Sequence, residues 1–312
     1  MKRAILFFLF GVSLAFGKAS IEKKKVVFIV NPIAHEIKNR NIEAIIKGHL
    51  DKEQYEHKIV YTEGPNHATL LAKEAIGRSD IIVAVGGDGT VNEVGKALVH
   101  TEAILGIIPV GSGNGLARHL SIPVGLYHGI KALNRAEPKA IDSAKINDTV
   151  FFNIAGIGFD ALIADKFSRF GKRGLSSYAQ VTIKEFQKYE PQNYHITIDN
   201  KPIDKKAFIL AFANSSQYGN DFYIAPKAST EDGFLDLIII DDIPPYYALQ
   251  FLQRIKQNTL DRSAHFERHP FKTLTLDCPH TLIHIDGEVA KFNGPITITT
   301  LPHSLRVMVP QK

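Results

Sequence analysis

The stretch VAVGGDGTVNEV, residues 83–94, runs an apolar segment into Gly86-Gly87-Asp88-Gly89 and then into a helix-like pattern. An apolar run closed by glycines and followed at once by a helix reads as a buried strand entering a tight strand-to-helix turn. Glycines there let a ligand approach the backbone closely, and the new helix offers unpaired N–H groups at its positive end, a combination that suits anions. In an open α/β sheet such a turn sits at the carboxyl ends of the strands, where ligands bind. An ordinary turn with Asp88 satisfying nearby backbone donors would also explain the stretch on its own. A second Gly/Ser-rich segment, PVGSGNGLARHL at residues 109–120, follows the next apolar run and opens another helix, so two such loops stand on neighbouring strands. Neither is GxGxxG, and GxxxxGK[ST] is absent, so neither a Rossmann fingerprint nor a P-loop is present.

Outward from this stretch the pattern is regular. KVVFIV, HKIVYT, DIIVAV and AILGIIPV are short β-branched runs, and HATLLAKEAI and VNEVGKALVH have helical spacing between them. Strand and helix in alternation predict βαβ units on a parallel sheet over residues 25–140. Beyond residue 141 the rhythm changes: YHITID, KAFILAFA, GFLDLIII, FKTLTLD, TLIHID and ITITTL follow one another with turn residues between. Such a series predicts a mostly antiparallel, sandwich-like second domain over 141–312, its last strand free to return to the first domain. Helical patterns interrupt it at 161–170, 177–189 and 246–256.

A chain of 312 residues accommodates two domains with cores of their own. Charged residues at 22% and apolar residues at 45% are those of a globular protein, which excludes a disordered or multispan membrane chain. A net charge of +5 and a pI near 9.0 suit phosphate ligands or an anionic membrane surface, and no dense basic block points to nucleic acid. The single cysteine, Cys278, excludes a disulfide framework and a Cys-rich metal site, which fits a reducing compartment. Residues 1–24 complicate this: Lys2 and Arg3 precede an apolar run from Ala4 to Phe16, the outline of an export signal or a surface anchor. As a helix that run spans roughly 20 Å, short of the roughly 30 Å hydrocarbon core.

GGDGTVNE, PVGSGNGLAR, NIAGIGFDA (153–161), APKASTEDGFLDL (225–237) and IDGE (285–288), in that order, resemble the diacylglycerol kinase and sphingosine kinase family of lipid kinases, including its soluble bacterial members. GGDGT alone is shared with NAD kinases; the ordered set is far more specific, and it covers the chain from Lys25 onward. The resemblance implies a nucleotide domain like that of NAD kinases, a β-sandwich-like second domain, and ATP-dependent phosphorylation of a lipid hydroxyl in the cleft between them. Carried onto this chain, the family's nucleotide contacts fall on Asn31, Thr62, Gly87, Asp88, Gly89, Thr90, Asn92, Glu93 and Ser112. Asp88 would act through the Mg²⁺ that accompanies ATP, an ion that takes few protein carboxylates and fills its shell with phosphate and water. Glu288 matches the family's general base, though Asp286-Gly287 also reads as a plain hairpin turn. Asp232, with backbone carbonyls of Ser229 and Phe234, matches a second, structural Mg²⁺ site in bacterial members; Asp-Gly there is equally an ordinary turn. Replacing Asp88 by Asn or Glu288 by Gln is expected to abolish transfer and leave the fold intact.

One departure stands out. The family follows its first strand with Asn-Pro-x-Ser-Gly, whereas this chain has Ala34 and His35 at the last two positions, removing a close backbone approach to phosphate. The form GSGNGLA leans toward sphingosine kinases rather than the GTxND of many bacterial diacylglycerol kinases. The scattered histidines lack zinc-site spacing, and Ser112 lacks the GxSxG setting of a hydrolase. FSRFGKRGLSSY, residues 167–178, interleaves basic and aromatic residues as a headgroup-docking segment would. The expected setting is cytoplasmic, peripheral to the membrane, with no nucleic-acid partner and room for a homodimer; the N-terminal segment leaves export open. NAD kinase activity and nonenzymatic nucleotide or lipid binding are the competing functions.

Overall fold

The structure is a computed structural model that describes residues 22–34, 36–169, 182, 184–186, 188–277 and 281–311. The N-terminal signal-like run, His35, Cys278, nearly all of the 167–178 segment and most of the 177–189 helix pattern lie outside the described residues.

The first sheet is built on β1 (Lys24–Val30), β2 (Tyr55–Tyr61), β3 (Ile81–Gly86) and β4 (Ile104–Pro109), all parallel, in the order β2-β1-β3-β4. Every residue of β3 and β4 is buried, which is why these strands read as unbroken apolar runs: helices cover both faces. On one face Val27, Ile29, Ile82 and Ala84 pack against α2 (His67–Ala75) and α3 (Asp88–Leu98). On the other, Phe28, Val30, Val83 and Val85 meet α1 (Ile42–His49) and α5 (Leu126–Leu133), while the short α4 (Gly115–His119) follows β4. The parallel α/β expectation holds.

The sheet does not stop at β4. β16 (Ile296–Pro310) runs parallel to β4 at Arg306–Val307 and antiparallel to β13 (Thr273–Asp277) at its other end. β13 continues into β8 (Gln192–Ile198) and β9 (Lys201–Ala207), and β5 (Ala136–Ile146) joins β16 to β6 (Thr149–Phe151), making ten strands in all among the described residues. A second, antiparallel sheet has the order β12 (Phe266–Phe271), β11 (Leu235–Ile240), β10 (Ile209–Ala213), β7 (Ile154–Gly158), β14 (Thr281–Ile285), β15 (Glu288–Phe292). Phe151, Ile157, Phe212, Leu235, Phe271, Leu274, Leu276 and Ile298 fill the space between the two sheets, which gives the sandwich-like half its core. The outer face of the second sheet is covered by α6 (Phe159–Arg169) and α7 (Ala248–Lys256) through Phe159, Ile163, Phe251 and Ile255. Among the described residues no helix is long and apolar enough to cross a membrane.

Candidate active site

The turn after β3 is shorter than a loop. Gly86 ends the strand, Gly87 is the helix cap, and Asp88 is already the first residue of α3. A Cβ on Gly86 would lie 2.3 Å from the Thr90 hydroxyl, so the helix can begin this soon only because glycine stands there. The turn after β4 lies directly beside it: Val110 N–H donates to the Gly86 carbonyl, and a Cβ on Gly111 would come within 2.5 Å of the Gly87 Cα. The two glycine-rich turns are therefore in backbone contact.

Asp88 locks them together. Its Oδ2 accepts the Asn114 N–H and its Oδ1 the Gly115 N–H, both at 2.8 Å. Burial pushes its pKa above the usual carboxylate value, against the pull of those backbone donors. Asn114 closes its own loop, its side chain accepting from Gly111 N–H at 3.1 Å and donating to the Gly111 carbonyl at 2.8 Å, with a left-handed backbone that asparagine tolerates. The local-donor reading of Asp88 thus describes its bonds, although the donors belong to the second loop.

From the β-rich half, β14 and β15 join through Asp286 (φ 50°) and Gly287 (φ 88°), the two left-handed positions of a primed hairpin turn. Asp286 reaches inward: Oδ2 accepts from Phe152 N–H at 2.9 Å and from the Asn92 amide at 2.7 Å, and Oδ1 from Asn153 N–H at 2.8 Å. Burial raises its pKa, opposed by these donors. The bond to Asn92 ties the hairpin to α3. Glu288, the first residue of β15, is exposed, and its Oε1 lies 3.5 Å from where a Cβ on Gly89 would stand. A crevice of about 110 Å³, lined by Gly89, Asn92, Lys96, Asp286 and Glu288 among others, separates α3 from the hairpin. Larger hollows of about 240 and 930 Å³ contain none of the motif residues.

The other nucleotide-contact candidates fall into three groups. Asn31 follows β1 and donates from its amide to the Thr90 hydroxyl at 3.3 Å, while Thr62 N–H pairs with the Val30 carbonyl, so both stand at the carboxyl edge of the sheet. Gly87, Gly89 and Ser112 line the turns themselves, Ser112 exposed. Glu93 faces away: its two carboxylate oxygens accept Asn66 N–H at 2.9 Å and Ala68 N–H at 3.1 Å, satisfying the start of α2. Ala34 spends its own N–H on the Asn31 carbonyl at 3.2 Å, closing the first loop by a backbone turn.

The Ser229, Asp232 and Phe234 group forms a separate loop. Asp232 Oδ1 accepts Phe234 N–H at 3.1 Å, Ser229 Oγ accepts Glu231 N–H at 3.2 Å, and the buried Asp142 carboxylate holds Gly233 N–H and His303 N–H at 2.7 Å each. These bonds fix the loop to the protein, and among the described residues no group of three or more His, Cys, Asp or Glu is placed to hold a metal ion.

Asn114, Tyr218 and His284 escaped the sequence reading, which takes Asp160, with Asn153, Gly156, Gly158 and Phe159, to shape the cleft between the halves without doing chemistry. Asn114 sits inside a quoted motif without a signal of its own and Asp286 reads only as a turn residue, because the bonds that each makes depend on which backbone lies opposite. The Tyr218 hydroxyl donates to Asp160 Oδ2 at 2.8 Å, and His284 Nε2 lies 3.0 Å from the same oxygen, all three beneath the hairpin. The neighbouring Gly219 packs onto the Gly113 backbone, and Asn220 N–H donates to the Gly113 carbonyl, so this cluster braces the second loop from the β-rich side.

A parallel sheet with glycine-rich turns at its carboxyl edge, facing an acidic hairpin from a β-sandwich-like half, is the arrangement of the NAD-kinase-like fold. A family model described as the diacylglycerol kinase catalytic domain matches residues 25–146, and one described as the YegS C-terminal NAD kinase beta sandwich-like domain matches residues 153–309. A diacylglycerol kinase of Mycobacterium tuberculosis is 27% identical over 78% of this chain and 81% of its own. An uncharacterized Synechocystis protein is 30% identical over 96% of this chain and 74% of its own. The crystal structure of a Bacillus anthracis diacylglycerol kinase superposes with a TM-score of 0.70 over 93% of this chain and 98% of its own, at 20% identity, which speaks to the fold. The chain belongs to the diacylglycerol kinase family of bacterial, YegS-like lipid kinases. Membership carries the use of ATP and a lipid substrate with it.

Proposed function

We propose that the chain transfers the γ-phosphoryl group of ATP to a hydroxyl of a membrane lipid, diacylglycerol or a sphingoid base, in the cleft between α3 and the β14–β15 hairpin. The observation that carries this reading is the approach of Glu288 to Gly89, an exposed carboxylate from one half facing the glycine-rich helix start of the other. In the transfer, the acceptor oxygen bonds to Pγ as the bridge oxygen to the β-phosphate departs with ADP, and Glu288 takes the hydroxyl proton. Gly87, Gly89, Thr90 and the start of α3 supply N–H groups for phosphate; Asn31, Thr62, Asn92 and Ser112 border the same edge. Glu93 supports the site through α2.

Mg²⁺ accompanies ATP in this reading. Both Asp88 oxygens are spent on backbone donors, so its carboxylate suits an ordered water of the metal's shell better than direct ligation. The ion supplies charge neutralisation at the phosphates when bound. The Ser229, Asp232 and Phe234 oxygens are hard donors of the kind Mg²⁺ prefers, with one Asp232 oxygen left beyond its turn bond. Residues 25–140 serve as the nucleotide half and 141–312 as the lipid half, at the cytoplasmic membrane surface.

The relative named a diacylglycerol kinase supports diacylglycerol as acceptor, whereas the GSGN form supports a sphingoid base. Incubating the protein with labelled ATP and a total lipid extract, then identifying the labelled product, separates the two. Label on neither, or on NAD alone, overturns the proposal.

A further inference from the structure

We infer that the exposed ridge of α7 is the surface by which this kinase docks on an anionic bilayer. The inference rests on the reading of the acceptor as a membrane lipid. Tyr246, Leu249 and Leu252 are 88%, 79% and 44% exposed, and they are three of the nine large apolar side chains that the described residues leave open to solvent. Their spacing of three places them along one side of the helix and the turn that precedes it. Phe251 and Ile255, on the opposite side, are buried against the second sheet. The helix is thus firmly seated, and its apolar ridge faces outward.

Charge selects the occupant. From Pro244 to Leu260 the chain carries no acidic residue, and Arg254 and Lys256 stand in the last turn of the helix. Of the two acids that precede this run, Asp241 is paired with His265. Arg254 turns into the protein, donating to the Thr259 carbonyl, so the exposed Lys256 is the cation at the end of the apolar ridge, an arrangement that matches the layering of a bilayer surface, acyl boundary beside anionic headgroups. A second copy of the chain fits less well. Three side chains expose roughly a few hundred Å², below the roughly 800 Å² per partner of a stable protein interface.

Position links the ridge to the chemistry. The Lys256 ammonium donates to the Asn220 carbonyl at 2.6 Å and lies 3.8 Å over the Phe222 ring, and Asn220 N–H donates in turn to the Gly113 carbonyl. The end of α7 is therefore two hydrogen bonds from the second glycine-rich loop. A bilayer touching the ridge would present its lipids beside the cleft.

The full chain contains no tryptophan, so Tyr246→Trp introduces a lone tryptophan, excited selectively over the tyrosines, on the ridge. With vesicles of equal parts phosphatidylglycerol and phosphatidylethanolamine, its emission should shift to the blue and be quenched by brominated acyl chains. An emission unchanged by vesicles overturns the inference. In co-sedimentation, the Leu249→Glu/Leu252→Glu double variant should bind these vesicles at least about tenfold more weakly, as expected for losing two buried leucines. Its turnover of a dispersed short-chain diacylglycerol should be unchanged. Undiminished binding, including binding carried by another segment, overturns the inference, as does a variant that turns a dimer into a monomer and leaves vesicle binding intact. Neither binding assay requires phosphoryl transfer, so a chain that inserts its ridge but phosphorylates no lipid would overturn the functional reading alone.

Discussion

At the scale of single residues, the acids of the site differ in what holds them. Among the described residues the exposed Glu288 carboxylate has no hydrogen bond or ion pair that its loss would break, so Glu288→Gln should leave thermal stability unchanged and lower kcat by about 10²–10⁴, the usual contribution of a positioned general base. Asp286 is the opposite case. With three donors on its carboxylate, Asp286→Asn turns an amide toward groups that all donate, and should cost about 1–3 kcal/mol of stability along with kcat, read by thermal melts and steady-state rates. If Asp286→Asn melted like the native protein, the hairpin would not be pinned as described. Asp88 is held in the same way by Asn114 and Gly115, so the expectation that Asp88→Asn spares the fold is revised: its loss unties two loops as well as the site. Glycine matters for space here. Gly111→Ala would push a methyl to 2.5 Å from the Gly87 Cα, and the loops must part. It should raise the KM for ATP and destabilise by about 1–3 kcal/mol; an unaltered KM would remove the two loops from nucleotide binding.

At the scale of elements, short helices and turns carry the joint between the halves. α4 ends at His119, whose Nδ1 lies 3.0 Å from the Ser216 hydroxyl and accepts the Ser216 N–H at 3.2 Å. Burial lowers the His119 pKa to about 4 from 6.5. A folded-state pKa below the unfolded value means the unfolded chain binds more protons between the two. His119 therefore contributes its stability above about pH 6.5 and loses it progressively as pH falls toward 4. At pH 5 the loss relative to pH 7 should reach ~2 kcal/mol at most. His119→Gln keeps an acceptor for Ser216 and should flatten that part of the denaturation profile; an equally steep profile would assign the acid sensitivity elsewhere. The elements themselves were mostly legible. β1, β3 and β4 announce themselves as unbroken apolar runs because they are covered on both faces, and IDGE announces a turn because Asp-Gly accepts two left-handed residues. β5, AEPKAIDSAKI, was not legible: its first half is exposed and holds a proline, so neither alternation nor a continuous run marks it.

At the scale of the whole molecule, β16 is the element on which both halves depend. Fifteen residues long, it closes the parallel sheet against β4, pairs with β5 along most of its length, and delivers Ile296 and Ile298 to the sandwich core. A chain ending at Pro295 would leave β4 and β13 as bare edges and remove Leu305, Val307 and Met308 from the nucleotide half. It should fail to yield a cooperatively folded nucleotide half, judged by circular dichroism and urea unfolding; a truncated protein that still bound ATP and unfolded in one transition would refute this. Docking of the α7 ridge on vesicles belongs to this scale too, since α7 reaches the second glycine-rich loop through Asn220, a contact between distant parts of the chain.

The sequence by itself determined the parallel α/β order, the strand-rich second half, the family and the motif residues, because buried strands, glycine turns and acidic hairpins each leave a local pattern. Only the tertiary structure decided that the Asp88 carboxylate binds the second loop, that the Glu93 carboxylate binds the start of α2, that Asp286 pins the hairpin and that the first sheet runs on into the sandwich. Each of these is a pairing between segments far apart in the chain, and a hydrogen bond depends on what the fold brings opposite a side chain, which no local spacing records.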